Sequence, residues 1–318
     1  MRSLRIVYFG TPEFAVPGLR ALIASRHPVI ALVSQPDRPK DRGHKPQTTP
    51  TKRAAEAAGV PVLQPARLKD EAFTEALRAL EPDLGVVAAY GRIIPDAVLA
   101  IPRLGLINIH ASLLPKYRGA APVHRAVISG DPETGVTIMR IVTELDAGPT
   151  FASVRLPIGP DATTPDVERA LAQAGADLVL EVVDQLALGS AVEVPQDDAD
   201  ATYAPKVERH EGAIEWTLPA RRIHNLVRGL QPWPMVSAMV DGVRCLVHRT
   251  ALTDQRTDAT PGTITIASNG VLGVAAGDGR VLRLLEIQPE GKRVMPARDF
   301  LAGRRIAVGS AISRVPAG

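Results

Sequence analysis

Asn108 and His110 lie within and directly after an apolar run at residues 104–109, which predicts a buried strand. Side chains alternate between the two faces of a strand, so these two side chains share one face. A second apolar run at residues 136–142 predicts another strand, and Asp146 follows it. Amide and imidazole N–H groups can donate hydrogen bonds to a developing oxyanion, and a carboxylate can accept a proton. Together these side chains have the donors and the base that transfer of an acyl group requires.

The sequence contains no obvious nucleophile that could carry an acyl group between two substrates. It has no nucleophile elbow, and its single cysteine, Cys245, lies far from Asn108, His110 and Asp146 in the sequence, in a predicted C-terminal domain. Transfer would therefore run directly from donor to acceptor, with Asp146 orienting His110 and taking up the proton of an attacking amine. A structural interpretation stays open for each residue alone: Asn108 and His110 as hydrogen-bonded core residues, Asp146 as a turn residue. As a set meeting where neighbouring strands end, they favour catalysis.

Apolar runs and amphipathic segments alternate over residues 1–189. Strands are expected at 4–9, 29–34, 62–63, 84–88, 104–109, 136–142 and 151–156, and helices at 13–25, 50–59, 70–80, 121–128 and 164–189. This order is typical of α/β domains with a Rossmann-like, mostly parallel sheet. Gly10 ends the first strand, but no second and third glycine follow at dinucleotide spacing, which argues against an NAD site.

Residues 190–205 are polar and acidic and predict a linker to a second domain at 206–318. Short apolar runs separated by turn dipeptides follow, at 236–240, 243–247, 262–266, 271–275 and 281–287. Five short strands at this spacing predict a small, OB-like β-barrel. The expected fold class is therefore α/β, with a Rossmann-like N-terminal domain at 1–189 and a C-terminal β-barrel.

Positive charge is concentrated in two parts of the chain. Residues 201–318 contain 16 Lys and Arg against 10 Asp and Glu, whereas residues 1–200 contain 21 against 24. A long Pro- and Gly-rich loop at 35–50 is also strongly cationic. Both features indicate a polyanionic partner. Because aromatic residues make up only 3% of the chain, a nucleic acid would be held through phosphates and shape rather than stacking.

Composition narrows the class of protein further. Hydrophobic residues make up 45% and charged residues 22%, as in globular proteins. One cysteine excludes an intramolecular disulfide and a multi-cysteine zinc site, and no metal is expected. No apolar run approaches the length of a membrane span, and the N-terminus has no signal-peptide pattern. We expect a cytoplasmic, monomeric enzyme without a membrane partner.

The central stretch carries a long, ungapped motif, INIHASLLPKYRGAAPVHRAVISGDPETGVTIM followed by ELDAGP. It resembles the signature of the 10-formyltetrahydrofolate-dependent formyltransferases, whose Asn-His-Asp catalytic set matches Asn108, His110 and Asp146. Three further stretches resemble the methionyl-tRNA formyltransferase family within that superfamily: FGTPEFA, VSQPDRPKDRGHK, and YAPKVERHEGAIEW with QPWPM. The resemblance implies transfer of the formyl group of 10-formyltetrahydrofolate to the α-amino group of methionine on initiator methionyl-tRNA.

The resemblance also implies roles for residues outside the catalytic set. The folate co-substrate would be bound by Ser112, Leu113, Leu114 and Pro115, and by the turn that includes Ala88, Tyr90 and Ile93. The methionyl group would lie near Gly10, Thr11 and Phe14. The tRNA would be contacted by Arg38, Lys40, Arg42 and Lys45 of the basic loop, and by Lys206 and Arg209 of the C-terminal domain.

Two other functions remain as alternatives. A folate-dependent formyltransferase could act on a small amine, such as a UDP-amino sugar or a purine precursor, but the basic loop and basic C-terminal domain would then have no clear role. A non-catalytic folate- or RNA-binding protein is the second alternative. The complete set of Asn108, His110 and Asp146 argues against it.

Overall fold

The structure is a computed structural model that describes residues 3–39 and 46–314. Contacts between residues divide the chain into two units. The first consists of Met1–Pro122, Glu133–Pro157 and Glu168–Pro205, and the second of Val123–Pro132, Ile158–Val167 and Lys206–Gly318. The second unit is thus assembled from three separate stretches of sequence. The predicted domain limits, 1–189 and 206–318 with a linker at 190–205, remain predictions.

The first unit is organised around a seven-stranded sheet. In chain order, the strands of the first unit, including those outside this sheet, are β1 (Ile6–Gly10), β2 (Val29–Val33), β3 (Arg38–Pro39), β4 (Pro46–Gln47), β5 (Val62–Leu63), β6 (Leu84–Ala88), β7 (Leu106–His110), β8 (Arg118–Gly119), β9 (Glu133–Arg140), β10 (Thr150–Pro157) and β11 (Tyr203–Ala204). The order in the large sheet is β10-β9-β7-β6-β1-β2-β5. Neighbours from β7 to β5 are parallel, whereas β9 is antiparallel to β7, and β10 to β9. Two small pairs lie apart from it, β8 with β11 and β3 with β4.

Helices follow most of these strands. They are α1 (Val16–Ile23), α2 (Pro50–Ala57), α3 (Glu71–Ala79), α4 (Asp96–Leu99), α5 (Pro122–Ser129) and α6 (Thr164–Leu188). The start of α2 shows why the predicted boundary was correct: Pro50 occupies the first helical position, and the side chain of Thr49 accepts a hydrogen bond from the Lys52 N–H.

The sheet is buried on both faces, which explains why its strands are continuous apolar runs. On one face, Val7 and Phe9 of β1 share an apolar cluster with Phe73 and Leu77 of α3. On the other face, the hydroxyl of Tyr8 donates a hydrogen bond to the Ala15 carbonyl at 2.7 Å. Parallel sheets covered in this way have few polar positions, so the polar residues of β7 stand out.

The second unit contains an antiparallel, curled sheet. Its elements are α7 (Ala220–Gly229), β12 (Val236–Val240), β13 (Val243–Ala251), β14 (Ile264–Ser268), β15 (Val271–Ala275), β16 (Val281–Pro289), β17 (Met295–Pro296), α8 (Ala297–Ala302) and β18 (Ser313–Arg314). The strand order is β14-β15-β16-β13-β12-β18, with β17 beside β16. Residues 309–312, which precede one end strand, exchange backbone hydrogen bonds of 2.8 Å with residues 262–264, which lead into the other. The sheet therefore has a barrel-like curvature.

An earlier stretch of the chain, residues 160–164, is bound to α7 within the second unit. The hydroxyl of Thr164 donates to the Gly229 carbonyl at 2.8 Å, and the guanidinium of Arg228 donates to the Ala162 carbonyl at 3.0 Å. His224 Nε2 lies 3.0 Å from the Pro160 carbonyl oxygen. These side-chain contacts explain why residues 158–167 belong to this unit.

The expected fold class is confirmed, since a mostly parallel α/β sheet is combined with a C-terminal antiparallel curled sheet. Two details differ from the predicted order. β9 and β10 run antiparallel to their neighbours, and the short elements β8, β11, β17 and α8 had no apolar pattern long enough to reveal them. Within the described residues, no helix combines the length and the apolar character needed to cross a membrane.

Candidate active site

β7 presents Asn108 and His110 on one face, as the alternation in its sequence predicts. Asn108 pairs with Val87 of β6 and Met139 of β9, and His110 pairs with Thr137 of β9. The residue between them, Ile109, packs against the helices on the opposite face: a Cβ placed on Gly18 of α1 or Gly175 of α6 would meet it at 3.0 or 2.7 Å. Asn108 is half-buried and His110 is buried.

His110 and Asp146 are brought together, with His110 Nδ1 lying 3.8 Å from Asp146 Oδ2. The other ring nitrogen, Nε2, lies 3.1 Å from the carbonyl oxygen of Tyr117. A carbonyl oxygen can only accept, so Nε2 is the donor in that contact. The nitrogen that remains for Asp146 or for a reacting group is therefore Nδ1, a distinction that the sequence could not make.

The carboxylate of Asp146 is held in place by the backbone. Its Oδ2 accepts a hydrogen bond from the Gly119 N–H at 2.8 Å, and its own φ of 49° places it in the left-handed region. Only 16% of the side chain is exposed. A carboxylate that is partly buried and bound to one N–H has a fixed direction, which suits a group that must meet a reacting proton.

Asp146 reaches His110 by a route that the sequence did not predict. Because β9 is antiparallel to β7, its carboxyl end at Arg140 pairs with Ile107 near the start of β7, not with His110. The loop of residues 141–149 must therefore return toward the carboxyl end of β7. Gly148 permits the close approach inside this loop, since a Cβ there would lie 2.0 Å from the Arg140 carbonyl oxygen.

Residues 112–115, expected to contact folate, form a turn tied to the sheet. The hydroxyl of Ser112 donates to the Lys116 carbonyl at 2.6 Å, and the hydroxyl of Thr137 donates to the Ser112 carbonyl at 2.8 Å. Ser112 is buried, whereas the side chains of residues 113–115 are half-buried. The Ser112 hydroxyl thus stabilises the turn, and the half-buried apolar side chains of Leu113, Leu114 and Pro115 remain as the surface that folate could contact.

The second predicted folate segment is the turn after β6. Tyr90 points away from it: its ring is buried and meets Phe9 edge-on at 5.8 Å between centroids, and burial raises the pKa of its phenol. The backbone of the turn is what remains, with Ala89 and Gly91 at φ of 45° and 77°. Ala88 is buried at the end of β6, and Ile93 is 91% exposed.

The predicted methionyl pocket adjoins this turn. The hydroxyl of Thr11 donates to the Tyr90 carbonyl at 3.3 Å, which connects the carboxyl ends of β1 and β6. Gly10 is required by packing, because a Cβ there would lie 2.8 Å from that of Ala15. Phe14 is half-buried in the short turn of helix that follows. The folate and methionyl segments are thus neighbours in the first unit.

Comparison with known proteins decides the family. The Formyl transferase family matches residues 4–183, and its C-terminal domain matches residues 206–305. The methionyl-tRNA formyltransferase of Moorella thermoacetica is 44% identical over 312 residues, covering 98% of this chain and all of the relative. That of Methylococcus capsulatus is 48% identical over 304 residues, covering 96% and 98%. The chain belongs to the methionyl-tRNA formyltransferase family. The resemblance read from the motifs is confirmed.

Solved structures similar to this methionyl-tRNA formyltransferase family member support its fold. An N-formyltransferase from Helicobacter canadensis, solved with folinic acid and dTDP-3-aminofucose, has a TM-score of 0.69 at 17% identity and covers 90% of this chain and 99% of its own. HypX from Aquifex aeolicus, solved with tetrahydrofolic acid, has a TM-score of 0.63 at 18% identity and covers 94% and 47%. At such identities the likeness concerns the fold alone.

A polar network near the base of the basic loop was missed by sequence analysis of this family member. Lys52 Nζ donates to Asp37 at 2.7 Å and to Gln64 at 2.8 Å, and the Gln64 amide donates to Asp37 and to the Gln35 carbonyl, both at 2.8 Å. Gln35 in turn donates to the Tyr90 carbonyl at 2.7 Å. The hydrogen bonds from Lys52 and Gln64 lower the pKa of Asp37. The network connects the start of the loop to the predicted folate turn.

The predicted tRNA contacts of this methionyl-tRNA formyltransferase family member are only partly described. Lys40, Arg42 and Lys45 lie outside the described residues. The backbone of Arg38 pairs with Gln47 in the small β3–β4 sheet. Lys206 and Arg209 are exposed in the second unit. In the described ranges, no three His, Cys, Asp or Glu side chains are grouped so that they could hold a metal ion.

Proposed function

We propose that the chain transfers the formyl group of 10-formyltetrahydrofolate to the α-amino group of methionine on initiator methionyl-tRNA. The observation that carries the proposal is the meeting of His110 Nδ1 and Asp146 Oδ2 at 3.8 Å, beside Asn108 on the same strand face. Membership of the methionyl-tRNA formyltransferase family supplies the two substrates.

In the proposed reaction the amine nitrogen attacks the formyl carbon directly. A bond forms between that nitrogen and the carbon, the carbonyl oxygen becomes an oxyanion, and the bond from the carbon to N10 of the folate then breaks. The Asn108 amide donates to the oxyanion, and His110 can donate to it through Nδ1 when its ring carries a proton on both nitrogens. One such donor in a water-excluded site accounts for roughly 3–4 kcal/mol of transition-state stabilisation.

Proton transfer is assigned to the pair of His110 and Asp146. A free α-amino group has a pKa of about 7.7–8.0, so a usable fraction is neutral at pH 7 before any base acts. After attack, the new ammonium loses a proton to Asp146. The departing N10 of the folate gains a proton, and His110 can carry a proton from Asp146 to N10. The hydrogen bond from Gly119 to Asp146 keeps the carboxylate directed at this exchange.

We assign the co-substrate and the methionyl group to segments near Asn108, His110 and Asp146. Folate would contact Leu113, Leu114 and Pro115 and the backbone of residues 88–93, while the methionyl side chain would lie by Gly10, Thr11 and Phe14. The hydrogen bond from Thr11 to Tyr90 supports this arrangement because it makes the two binding segments neighbours. Ser112 would contribute through the turn that it stabilises.

The tRNA is assigned to the cationic parts of the chain. These are the loop residues Arg38, Lys40, Arg42 and Lys45, with Lys206 and Arg209 of the second unit. A net excess of positive charge in residues 201–318, 16 Lys and Arg against 10 Asp and Glu, supports the assignment. We further propose that the enzyme acts as a monomer in the cytoplasm, where translation begins.

One assay tests the function directly. The protein is incubated with 10-formyltetrahydrofolate and either methionyl-initiator tRNA or a UDP-amino sugar, and formylation of each acceptor is measured, with Asp146→Ala as the control. We expect rapid formylation of methionyl-tRNA that depends on Asp146. Preferential formylation of the amino sugar would replace the proposed acceptor with a small amine, and formylation of neither would remove the enzymatic proposal.

A further inference from the structure

The loop that carries Asp146 is held by a side chain from the stretch expected to be a linker. The amide of Gln196 donates two hydrogen bonds into the loop, to the carbonyl of Asp146 at 2.9 Å and to the carbonyl of Gly148 at 2.7 Å. Gln196 is half-buried. A single amide group therefore fixes the backbone on both sides of Ala147, next to the carboxylate that the proposed mechanism uses.

The other end of the Gln196 amide is fixed as well. Its Oε1 accepts two hydrogen bonds from the guanidinium of Arg118, at 3.1 Å from Nε and 2.9 Å from Nη2. Arg118 is only 3% exposed, and its Nη2 also donates to Asp198 at 2.8 Å. An unpaired charge in the protein interior strongly destabilises the folded state. The Arg118 guanidinium and the Gln196 oxygen that accepts from it are therefore strongly constrained in position.

Arg118 is also adjacent in sequence to the group that binds the Asp146 side chain. The next residue, Gly119, donates its N–H to Asp146 Oδ2. Arg118 and Gly119 form β8, which pairs with Tyr203 and Ala204 of β11. Asp146 is thus held twice from one short strand, through its carboxylate by Gly119 and through its backbone by Arg118 and Gln196.

We propose that Gln196 is a positioning residue for Asp146, acting through the backbone of residues 146–148. The inference rests on the proposed function, because it gives Asp146 a catalytic role. Asp146 has a φ of 49°, a left-handed conformation that is uncommon for non-glycine residues but open to Asp, so its backbone needs restraint from its surroundings to stay in one position. The two hydrogen bonds from Gln196 supply that restraint, and displacement of a reacting group by about 1 Å can lower a rate by about 10²-fold.

The test compares two substitutions of Gln196. Gln196→Glu keeps an oxygen for Arg118 but turns the donor toward Asp146 and Gly148 into an acceptor, which repels both carbonyl oxygens. Gln196→Met has a similar length and removes all four hydrogen bonds without adding charge. We expect each to lower kcat about 10- to 100-fold while the KM values for folate and tRNA change little. Full kcat in Gln196→Met, with the fold retained, would overturn the proposal.

A second measurement separates positioning from simple folding support. Amide hydrogen exchange of residues 141–149 should be faster in Gln196→Glu than in the wild type, while exchange of β1 and β6 is unchanged. Asp198→Asn neutralises a second, exposed acceptor of the Arg118 guanidinium without touching the loop, so it should keep normal kcat. Unchanged exchange in the loop, or an equal loss of kcat in Asp198→Asn, would contradict the assignment.

The proposed function and the positioning role fail in different ways. If Asp146→Ala itself keeps normal turnover, the catalytic role of Asp146 is wrong. If Asp146→Ala is inactive while Gln196→Glu and Gln196→Met are fully active, only the positioning role is wrong. If both are right, the double variant Asp146→Ala with Gln196→Met should be no slower than Asp146→Ala alone, since Gln196 acts through Asp146.

Discussion

Gly119 donates its backbone N–H to the carboxylate of Asp146 at 2.8 Å, so a two-residue strand directs the side chain that faces His110. A backbone donor cannot be removed by changing a side chain, which makes this contact constant among variants. What can be changed is the carboxylate. Asn in place of Asp146 keeps an oxygen for Gly119 but loses the negative charge and the ability to take up a proton.

Asp146→Asn should therefore keep its fold and lose activity. We expect kcat to fall by about 10²- to 10³-fold, with KM for both substrates little changed, because the charge is needed during proton transfer and not for binding. Steady-state kinetics with methionyl-tRNA measures this. The same substitution at Asp70, which is exposed at the start of α3 and makes no capping hydrogen bond through its side chain, serves as the matched control.

Asn108→Ala should remove one donor to the proposed oxyanion. The expected loss in kcat is about 10²- to 10³-fold at unchanged tRNA affinity, as for other single oxyanion donors. Asn269→Gly, which removes an amide at a turn with a φ of 51° in the second unit, should leave turnover near the wild-type value. Near-normal turnover in Asn108→Ala would show that another group stabilises the oxyanion.

Binding of tRNA should weaken steeply as salt concentration rises, because each phosphate contact releases counterions. Arg42→Ala should raise the apparent Kd and reduce the slope of log K against log salt by about 1. Arg42→Lys keeps the charge and should retain most of that slope. If tRNA binding did not depend on salt concentration, the proposal that the basic loop binds tRNA would be wrong.

The pair of Asp37 and Lys52 should make stability depend on pH. Hydrogen bonds from Lys52 and Gln64 lower the folded-state pKa of Asp37, so its contribution is complete above the unfolded pKa of about 3.9 and is lost as pH falls through the lower folded value. Asp37→Asn should cost roughly 1 kcal/mol at pH 7 and progressively less below pH 4. Urea unfolding at several pH values measures it, with the exposed Glu13→Gln as control.

Gly148→Ala should destabilise the loop that carries Asp146. A Cβ there would lie 2.0 Å from the Arg140 carbonyl oxygen, a backbone atom that cannot turn aside. We expect a loss of about 1–3 kcal/mol in the free energy of unfolding, together with reduced kcat. At Gly159 the nearest atom to such a Cβ is 3.7 Å away, so Gly159→Ala should change stability little. Equal stabilities of the two variants would contradict the steric argument.

Much of the candidate site could be predicted because its signals are local. Asn108 and His110 interrupt an apolar strand, and period-two alternation is enough to place them on one face. The buried parallel strands were equally visible as continuous apolar runs. Asp146 was predicted correctly as a neighbour of His110, although the reason was incomplete: the antiparallel direction of β9 makes a returning loop necessary, and strand direction has no local signature.

The supporting residues could not be predicted because their signals are not local. Gln196 lies in a polar, acidic stretch that has the composition of a linker, yet its hydrogen bonds reach residues 48 to 50 positions earlier. Lys52 and Gln64 are bound to each other and to Asp37 across 12 to 27 positions. Two-residue strands such as β8 and β11 are too short for any periodicity to appear.

The second unit draws residues 123–132 and 158–167 from the middle of the sequence, and Thr164 and Ala162 are bound to α7. A chimera joined at a single point near residue 205 would therefore separate α7 from two of its partners. Exchanging the C-terminal half for that of another protein requires a donor whose replacement for α7 accepts the resident Thr164, or the transplantation of all three pieces. Recombination by one crossover, in the laboratory or in evolution, is correspondingly restricted to close relatives.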